Sequence, residues 1–148
     1  MQNVINLRKA DIGDKDSIIE IINVLHLDVP GFVWGDRNFV EKQIRSGEYF
    51  LAQLGNEVAG VISFKQRGNI MYIETLAIKE KFRSQGIGTR LVEFAKNFTK
   101  DNRLSILRVC SFCEYKAQDF YLKLGFSMLE EPGDYENLSY QRFETRLG

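Results

Sequence analysis

The segment that decides the fold is IMYIETLAIKEKFRSQGIGTRLVEFAKNF, residues 70–98. Its apolar first part, Ile70–Ile78, predicts a β-strand, and the basic segment Lys79–Gly88 predicts a loop. Apolar residues at three- and four-residue spacing then predict an amphipathic helix, namely Ile87, Leu91, Phe94, Ala95 and Phe98. A loop that opens a helix favours anions, because its N–H groups and the helix dipole act together. We therefore expect a phosphate-bearing ligand here.

The charge of this loop supports the expectation. Its charged residues are Lys79, Glu80, Lys81, Arg83 and, in the first helical turn, Arg90. They give a local net charge of about +3, whereas the formal net charge of the whole chain is zero. A local excess of this size suits a pyrophosphate.

Three phosphate-binding motifs compete for the loop. A P-loop requires Lys and then Ser or Thr after its second glycine, but Gly88 is followed by Thr89 and Arg90. A dinucleotide fingerprint requires a third glycine, which Gly86–Leu91 lacks. The remaining hexapeptide, RSQGIG at 83–88, resembles the R/Q-x-x-G-x-G/A signature of the GNAT N-acetyltransferase superfamily. Taken alone, the hexapeptide also suits a structural turn in an exposed basic loop.

A second motif, closer to the C-terminus, strengthens the resemblance. Residues 117–126, AQDFYLKLGF, are similar to A-x-x-F-Y-x-K-x-G-F of the same superfamily. The element order β-α-α-β-β-β-α-β-α-β-β is also that of the superfamily. The resemblance implies an α/β (α+β) fold with a mixed, mostly antiparallel sheet of about seven strands, helices on both faces and a splayed parallel pair. It also implies a single domain over residues 1–148.

Sequence periodicity locates these elements along the chain. Strands are predicted over residues 3–9, 48–54, 57–65, 70–78, 103–111, 126–131 and 138–147. The strands on either side of the central helix should run parallel, because a helical crossover joins them. Asp14 or Asp16 is expected to cap the first helix, and Asp36 the second. The acidic segment Glu130–Glu136 is predicted to be a turn.

Composition excludes several classes of protein. The chain has 148 residues and balanced charge, which suits one domain and gives no sign of a nucleic-acid surface. With two cysteines and one histidine, a four-ligand Cys/His zinc site is excluded. Cys110 and Cys113 are predicted to be buried or half-buried free thiols. No charged leader and no apolar run of membrane length is visible, so a cytoplasmic protein without membrane contact is expected.

The resemblance implies acetyl-CoA as the acyl donor. In the family, the main chain of one strand holds the pantetheine, and the matching residues here are Leu76, Ala77 and Ile78. The loop would hold the pyrophosphate through main-chain amides and neighbouring side chains, in residues Arg83, Ser84, Gln85, Gly86, Ile87, Gly88 and Thr89. Phe120 matches a position that flanks the thioester end.

The family reaction is direct attack by an amine on the thioester carbonyl. An alkylamine has a pKa of about 10.4 and is mostly protonated at pH 7, so a base is needed. Glu74 is our candidate base, because strand alternation puts it on the face of Leu76 and Ile78. A glutamate that only pairs with a neighbouring cation is the alternative. Tyr121 matches the usual general acid of the family, although its position also suits a packed aromatic residue.

The acceptor is expected to be a primary amine on a small molecule, a peptide N-terminus or a lysine. Phe32 and Trp34 either line the substrate site together with Glu74 or anchor the core. Several acidic residues either favour a cationic amine or are for the most part solvated surface carboxylates, namely Asp28, Glu48, Glu114 and the segment 130–136.

One departure from the family pattern keeps a second class of function open. Many relatives have an Asn that touches the cofactor three residues before the Ala of the second motif, where this chain has Glu114. A carboxylate lacks the donor of an amide. The alternative is therefore a catalytically weak acyl-CoA-binding sensor or interaction module of the same fold. The resemblance also leaves a homodimer possible, because dimers are common in the family.

Overall fold

The computed structural model describes residues 4–23, 36–112, 116–129, 133–135 and 138–148. By its internal contacts the chain divides into two compact units. The first unit is Met1–Phe64 with Thr75–Leu91, and the second is Lys65–Glu74 with Val92–Gly148. The single domain over residues 1–148 stays a prediction.

The described helices and strands follow the predicted order, with one additional strand near the C-terminus. In chain order they are β1 (Ile5–Lys9), α1 (Lys15–Asn23), α2 (Arg37–Arg45), β2 (Tyr49–Leu54), β3 (Glu57–Arg67), β4 (Ile70–Ile78), α3 (Ile87–Asp101), β5 (Ile106–Phe112), α4 (Gln118–Lys123), β6 (Ser127–Met128), β7 (Gly133–Tyr135) and β8 (Leu138–Arg146). The strands hydrogen-bond in the order β1-β2-β3-β4-β5-β8-β6, and β7 pairs with β8. β4 and β5 run parallel, whereas β5, β6 and β7 each pair with β8 antiparallel. The predicted fold class is confirmed.

The core of the first unit lies between its sheet and the helices α1 and α2. Strand pairing is antiparallel and puts Leu51 of β2 opposite Val61 of β3. The apolar faces of both helices pack against this surface, with a core that includes Ile18, Ile21, Ile22, Val40, Ile44, Tyr49, Leu51, Val61 and Ala77. Apolar residues at helical spacing thus meet apolar residues at strand spacing.

The helix caps are partly as predicted. The Asp36 carboxylate accepts a hydrogen bond from an N–H in the first turn of α2, at 3.0 Å. The predicted cap of α1 is wrong, because Asp11 instead caps a 3-10 turn that runs into this helix. Asp14 accepts a hydrogen bond from the Asp11 N–H and pairs with Arg8 at 2.8 Å. This pair holds the pKa of Asp14 below its usual value.

The acidic segment near the C-terminus is another difference from the prediction. Gly133–Tyr135, expected within a turn, forms β7 and pairs with the start of β8, where Tyr135 lies opposite Leu138. Gly133 lies directly against the ring of Tyr140, and a Cβ at this position would overlap that ring. The close approach leaves no space for a Cβ unless the Tyr140 ring moves.

A second glycine, Gly60 of β3, allows the N-terminal part of α3 to pack closely on the sheet. A Cβ here would lie 2.9 Å from Ile78 Cδ1, 3.1 Å from Ile87 Cγ2 and 3.2 Å from Leu91 Cδ1. All three distances are shorter than ordinary van der Waals contact. The position of α3 therefore depends on the missing side chain at residue 60.

We predict that Gly60→Ala lowers the free energy of unfolding by about 1–3 kcal/mol, because the new methyl group overpacks this contact. Urea denaturation measures the loss. Ile78→Val removes the nearest atom, so the double variant Gly60→Ala/Ile78→Val should regain part of the stability, as a positive coupling in a double-mutant cycle. A Gly60→Ala protein as stable as the wild type would refute the packing argument.

Candidate active site

In the first unit, an exposed loop connects β4 to α3 and has an unusual backbone conformation. A single 3-10 turn, Glu80–Phe82, is followed by Arg83 in an extended conformation. Ser84 has φ of 64° and Gly86 has φ of 82°, both in the left-handed region. For a residue with a side chain, such as Ser84, this conformation costs roughly 1–2 kcal/mol. Strain of this kind is concentrated at functional sites.

The loop leaves a row of backbone amides at the start of α3. The Arg90 N–H donates to the Gly86 carbonyl at 3.0 Å, which closes the first turn of the helix. The N–H groups of Ile87, Gly88 and Thr89 come before the first helical donor, Arg90, so the helix offers them no acceptor and a ligand can accept from them. Ile87 is buried and anchors the turn, whereas residues 83–86 are exposed. A Cβ on Gly86 would meet no atom within 4 Å, so the space next to its backbone is open.

Part of the predicted positive charge of the loop is neutralised. Lys79 and Lys81 both pair with Glu57 of β3, at 3.1 and 2.8 Å. Hydrogen bonds from these two lysines hold the pKa of Glu57 below its usual value, and the larger effect comes from Lys81. Arg83 and Arg90 are exposed, and Arg83 Nε donates to the Ile78 carbonyl at 3.4 Å. The two lysines of the loop are therefore engaged by Glu57, whereas these two arginines are exposed.

In the second unit, the parallel ladder between β4 and β5 runs from Ile70↔Ile106 to Ile73↔Val109. Both strands continue past the last pair, and the next residues are Glu74 and Cys110. The Glu74 side chain is 19% exposed and lies 3.9 Å from the Arg67 guanidinium, which is too long for a hydrogen bond. The candidate base thus lies where the two strands stop pairing.

Cys110 is exposed, so the prediction of a buried or half-buried thiol is wrong for this residue. It lies opposite Arg142 in the β5–β8 register, one residue past the last β4–β5 pair and on the other face from Val109. Partial desolvation of the sulfur nevertheless raises the pKa of the Cys110 thiol, and so does Glu74, whereas Arg142, Arg67 and Arg108 lower it. Cys113 lies outside the described residues.

Tyr121, the candidate acid, is buried in α4 among aromatic rings. Its ring centroid lies 5.1 Å from those of Phe120 and Phe143 and 5.5 Å from that of Phe126. Burial raises the pKa of Tyr121 well above its usual value, and the neighbouring Cys110 contributes in the same direction. The phenol therefore keeps its proton throughout the physiological pH range. Tyr121, Glu74 and Cys110 all belong to the second unit.

The other predicted site residues have varied environments. Along β4, Glu74, Leu76 and Ile78 are half-buried while the residues between them are buried. Phe120 is half-buried beside Tyr121. Phe32 and Trp34 lie outside the described residues.

Sequence analysis missed the arginines around Cys110, of which Arg142 comes from the last strand. A signal was present, because β8 carries polar residues at every second position, Tyr140, Arg142, Glu144 and Arg146. This period of two predicts one polar face on a strand. It does not predict which strand lies beside β8, and only the observed pairing with β5 brings Arg142 next to Cys110.

Comparison with known proteins agrees with this architecture. A curated relative, glucosamine 6-phosphate N-acetyltransferase of Arabidopsis thaliana, is 25% identical over 142 residues, covering 86% of this chain and 93% of the relative. The structure of Ard1 from Thermoplasma volcanium has a TM-score of 0.84 at 15% identity, covering 97% of this chain and 98% of that one. PaiA N-acetyltransferase of Thermoplasma acidophilum, solved in complex with coenzyme A, has a TM-score of 0.78 at 18% identity, covering 97% and 99%.

A mixed, mostly antiparallel sheet with one parallel pair and flanking helices defines an α/β protein. The model of the Acetyltransferase (GNAT) family matches residues 19–126, and the chain belongs to this family of acyltransferases. No helix within the described ranges is long and apolar enough to span a membrane. Nor does any group of three or more His, Cys, Asp or Glu side chains in the described part of the chain form a metal site.

We predict that Gly86→Asp abolishes the binding of acetyl-CoA, because the new side chain strains the positive φ and brings a carboxylate to the phosphates. Gly55→Asp is the matched control, since Gly55 has φ of 60° and likewise no neighbour within 4 Å of a Cβ. Calorimetric titration of both variants measures affinity. Unchanged affinity in Gly86→Asp, with Gly55→Asp behaving in the same way, would refute the assignment of the loop.

Proposed function

We propose that the chain transfers the acetyl group of acetyl-CoA to a primary amine by direct attack. The observation that carries the proposal is the loop of the first unit, where Ser84 and Gly86 adopt left-handed conformations immediately before the open amides of α3. A backbone strained into this shape is preorganised for a diphosphate. Membership of the GNAT family supplies the type of reaction.

The residues of the loop fit this cofactor. The amides of Ile87, Gly88 and Thr89 would donate to the pyrophosphate, with Arg83 as the neighbouring cation. Ser84 and Gln85 complete the loop, and Gly86 leaves room for close approach. The main chain of Leu76, Ala77 and Ile78 would hold the pantetheine amides, as the family resemblance implies. When bound, acetyl-CoA supplies an activated acyl group as a thioester.

Glu74 is the proposed base for the acceptor. A carboxylate that is 19% exposed remains in contact with water, so it can accept the amine proton directly or through one water molecule. Arg67, at 3.9 Å, keeps a positive charge near the carboxylate without a direct hydrogen bond.

Tyr121 is the proposed acid, and it would donate its phenol proton to the departing thiolate. The surrounding aromatic rings hold the phenol protonated, because they desolvate the charged form more than the neutral one. Phe120 packs edge-on against the same ring and limits its movement. The backbone N–H near Ile78 is proposed to polarise the thioester carbonyl.

The acceptor is proposed to be a primary amine of a small molecule, a peptide N-terminus or a lysine. The name of the relative in Arabidopsis thaliana, glucosamine 6-phosphate N-acetyltransferase, supports an amino sugar as one candidate. A role for Phe32 and Trp34 in the substrate site stays a prediction, as do a cytoplasmic location and a homodimer.

Titration of the purified chain with acetyl-CoA and with free CoA, followed by a thiol-release assay over a panel of amines, tests the proposal. Binding together with thiol release for an amine is the expected result. Binding without release for every class of amine would favour the alternative, an acyl-CoA sensor. No binding of either compound would contradict both readings.

Tyr121→Phe is predicted to lower turnover by roughly 10²–10⁴-fold, the usual contribution of a general acid, with little change in acetyl-CoA affinity. Steady-state thiol release and calorimetry separate these two quantities. Tyr49→Phe is the control, because Tyr49 is a buried tyrosine in the core of the first unit. If Tyr121→Phe turns over as fast as Tyr49→Phe, Tyr121 is only a packing residue.

Glu74→Gln is predicted to slow acetylation strongly near neutral pH, and much less when the pH approaches the pKa of the free amine. At high pH the acceptor loses its proton to solvent, so the base is no longer needed. The pH dependence of kcat/KM measures the difference. Glu41→Gln, which removes a carboxylate paired with Lys15, is the control and should keep the wild-type profile. A Glu74→Gln profile parallel to the wild type would exclude Glu74 as the base.

A further inference from the structure

The turn that follows α4 is closed by two backbone hydrogen bonds to the end of that helix. The Phe126 N–H donates to the Tyr121 carbonyl at 3.1 Å, and the Gly125 N–H donates to the Leu122 carbonyl at 3.2 Å. Gly125 has φ of 92°, and the ring centroids of Tyr121 and Phe126 are 5.5 Å apart. Together these features define a Schellman motif, a helix end with a left-handed glycine and an apolar contact across the turn. Tyr121 thus contributes both its carbonyl and its ring to the turn.

Contacts with other elements have to hold α4 in place. The helix has only six residues, and Ala117 at its N-cap makes no side-chain hydrogen bond. A helix of this length is not stable on its own, so its position depends on tertiary packing. On one side β8 supplies that packing, because Phe143 contacts the Tyr121 ring and also pairs with Met128 of β6, directly after the turn.

On the other side, α3 contacts the turn through Lys96. The Nζ of Lys96 donates at 2.6 Å to the carbonyl of Leu124, the C-cap residue of α4, which is 28 residues away along the chain. The same ammonium lies 5.9 Å from the centroid of the Phe126 ring. A cation at the C-terminal end of a helix is favoured both by the carbonyls without a helical donor and by the helix dipole.

Lys96 is committed to this contact more than to its neighbour on α3. Its side chain is 19% exposed, and it lies 3.5 Å from the carboxylate of Glu93, which is 52% exposed. Solvent screens a pair of this kind, so it contributes little. The bond to the Leu124 carbonyl is shorter and part-buried, and a hydrogen bond from a charged donor is among the stronger ones in proteins.

We propose that Lys96 is a positioning residue for Tyr121. By binding the Leu124 carbonyl it holds the Schellman turn closed, and the closed turn fixes both the backbone of Tyr121 and the Phe126 ring that packs on it. A general acid has to lie within hydrogen-bond reach of the atom that it protonates, and a misplacement of about 1 Å can lower the rate about 100-fold. The inference rests on the proposed function, in which Tyr121 is the acid, and it adds a residue from outside the motif at 117–126.

Hydrogen exchange of the Gly125 and Phe126 amides tests the structural part of the proposal without an activity assay. Lys96→Met keeps a long, flexible side chain but removes the charge and the donor. Both amides should exchange about tenfold or more faster in Lys96→Met than in the wild type, because the turn opens more often. Lys96→Arg keeps a cation with N–H donors and should restore part of the protection. Lys100→Met, which removes an exposed lysine of the same helix, should leave both rates unchanged.

Steady-state thiol release from acetyl-CoA, with an amine that the protein turns over, tests the catalytic part. Lys96→Met should lower kcat by about tenfold or more and keep KM for acetyl-CoA within about twofold of the wild type. In the Tyr121→Phe background the same change should cause no further loss of kcat, because the phenol that Lys96 positions is already absent. A purely structural role would lower kcat by the same factor in both backgrounds. Melting temperatures confirm that each variant is folded at the assay temperature.

Unchanged exchange of the two amides in Lys96→Met would overturn the proposal, as would a wild-type kcat or an equal loss of kcat in both backgrounds. Faster exchange in Lys96→Met combined with full activity of Tyr121→Phe would support the positioning of Tyr121 by Lys96 and contradict the role of Tyr121 as the acid. Faster exchange without thiol release for any amine would support the same contact and contradict the proposed transfer reaction. The two ideas therefore fail in distinguishable ways.

Discussion

The early end of the parallel ladder between β4 and β5 is the constraint on which the candidate active site depends. The two strands pair only as far as Ile73 and Val109, although each continues beyond that point. Past the last pair, peptide groups that would hydrogen-bond across the sheet become available to another partner. The candidate base Glu74 and the exposed Cys110 are the first residues beyond the ladder, so the change in pairing determines where they lie.

Side-chain alternation then gives the two faces of the second unit different properties. On one face Val109 lies opposite Phe143, whose ring packs on Tyr121 and keeps this phenol desolvated. On the other face Cys110 lies opposite Arg142, and the neighbouring row carries charges. Adjacent residues of the same strands thus lie in an apolar environment on one face and in a charged environment on the other.

In the first unit, the candidate loop is defined by its backbone geometry more than by its side chains. Ser84 and Gly86 adopt left-handed conformations just before α3, and buried Ile87 anchors the start of that helix. The helix itself packs closely on the sheet because Gly60 has no side chain. Glycines at 60 and 86 therefore serve different purposes, close packing at one position and a left-handed turn at the other.

The sequence by itself determined the element order, the parallel pair, the cap at Asp36 and the loop with its family signature, because all of these follow from local periodicity, turn chemistry and motif spacing. Only the tertiary structure decided which charges meet. Glu57 neutralises Lys79 and Lys81, and β8 brings Arg142 to Cys110, across separations that no local pattern encodes. It also decided that Gly133–Tyr135 is a strand and that Cys110 is exposed, since strand pairing and burial depend on residues far away in the chain.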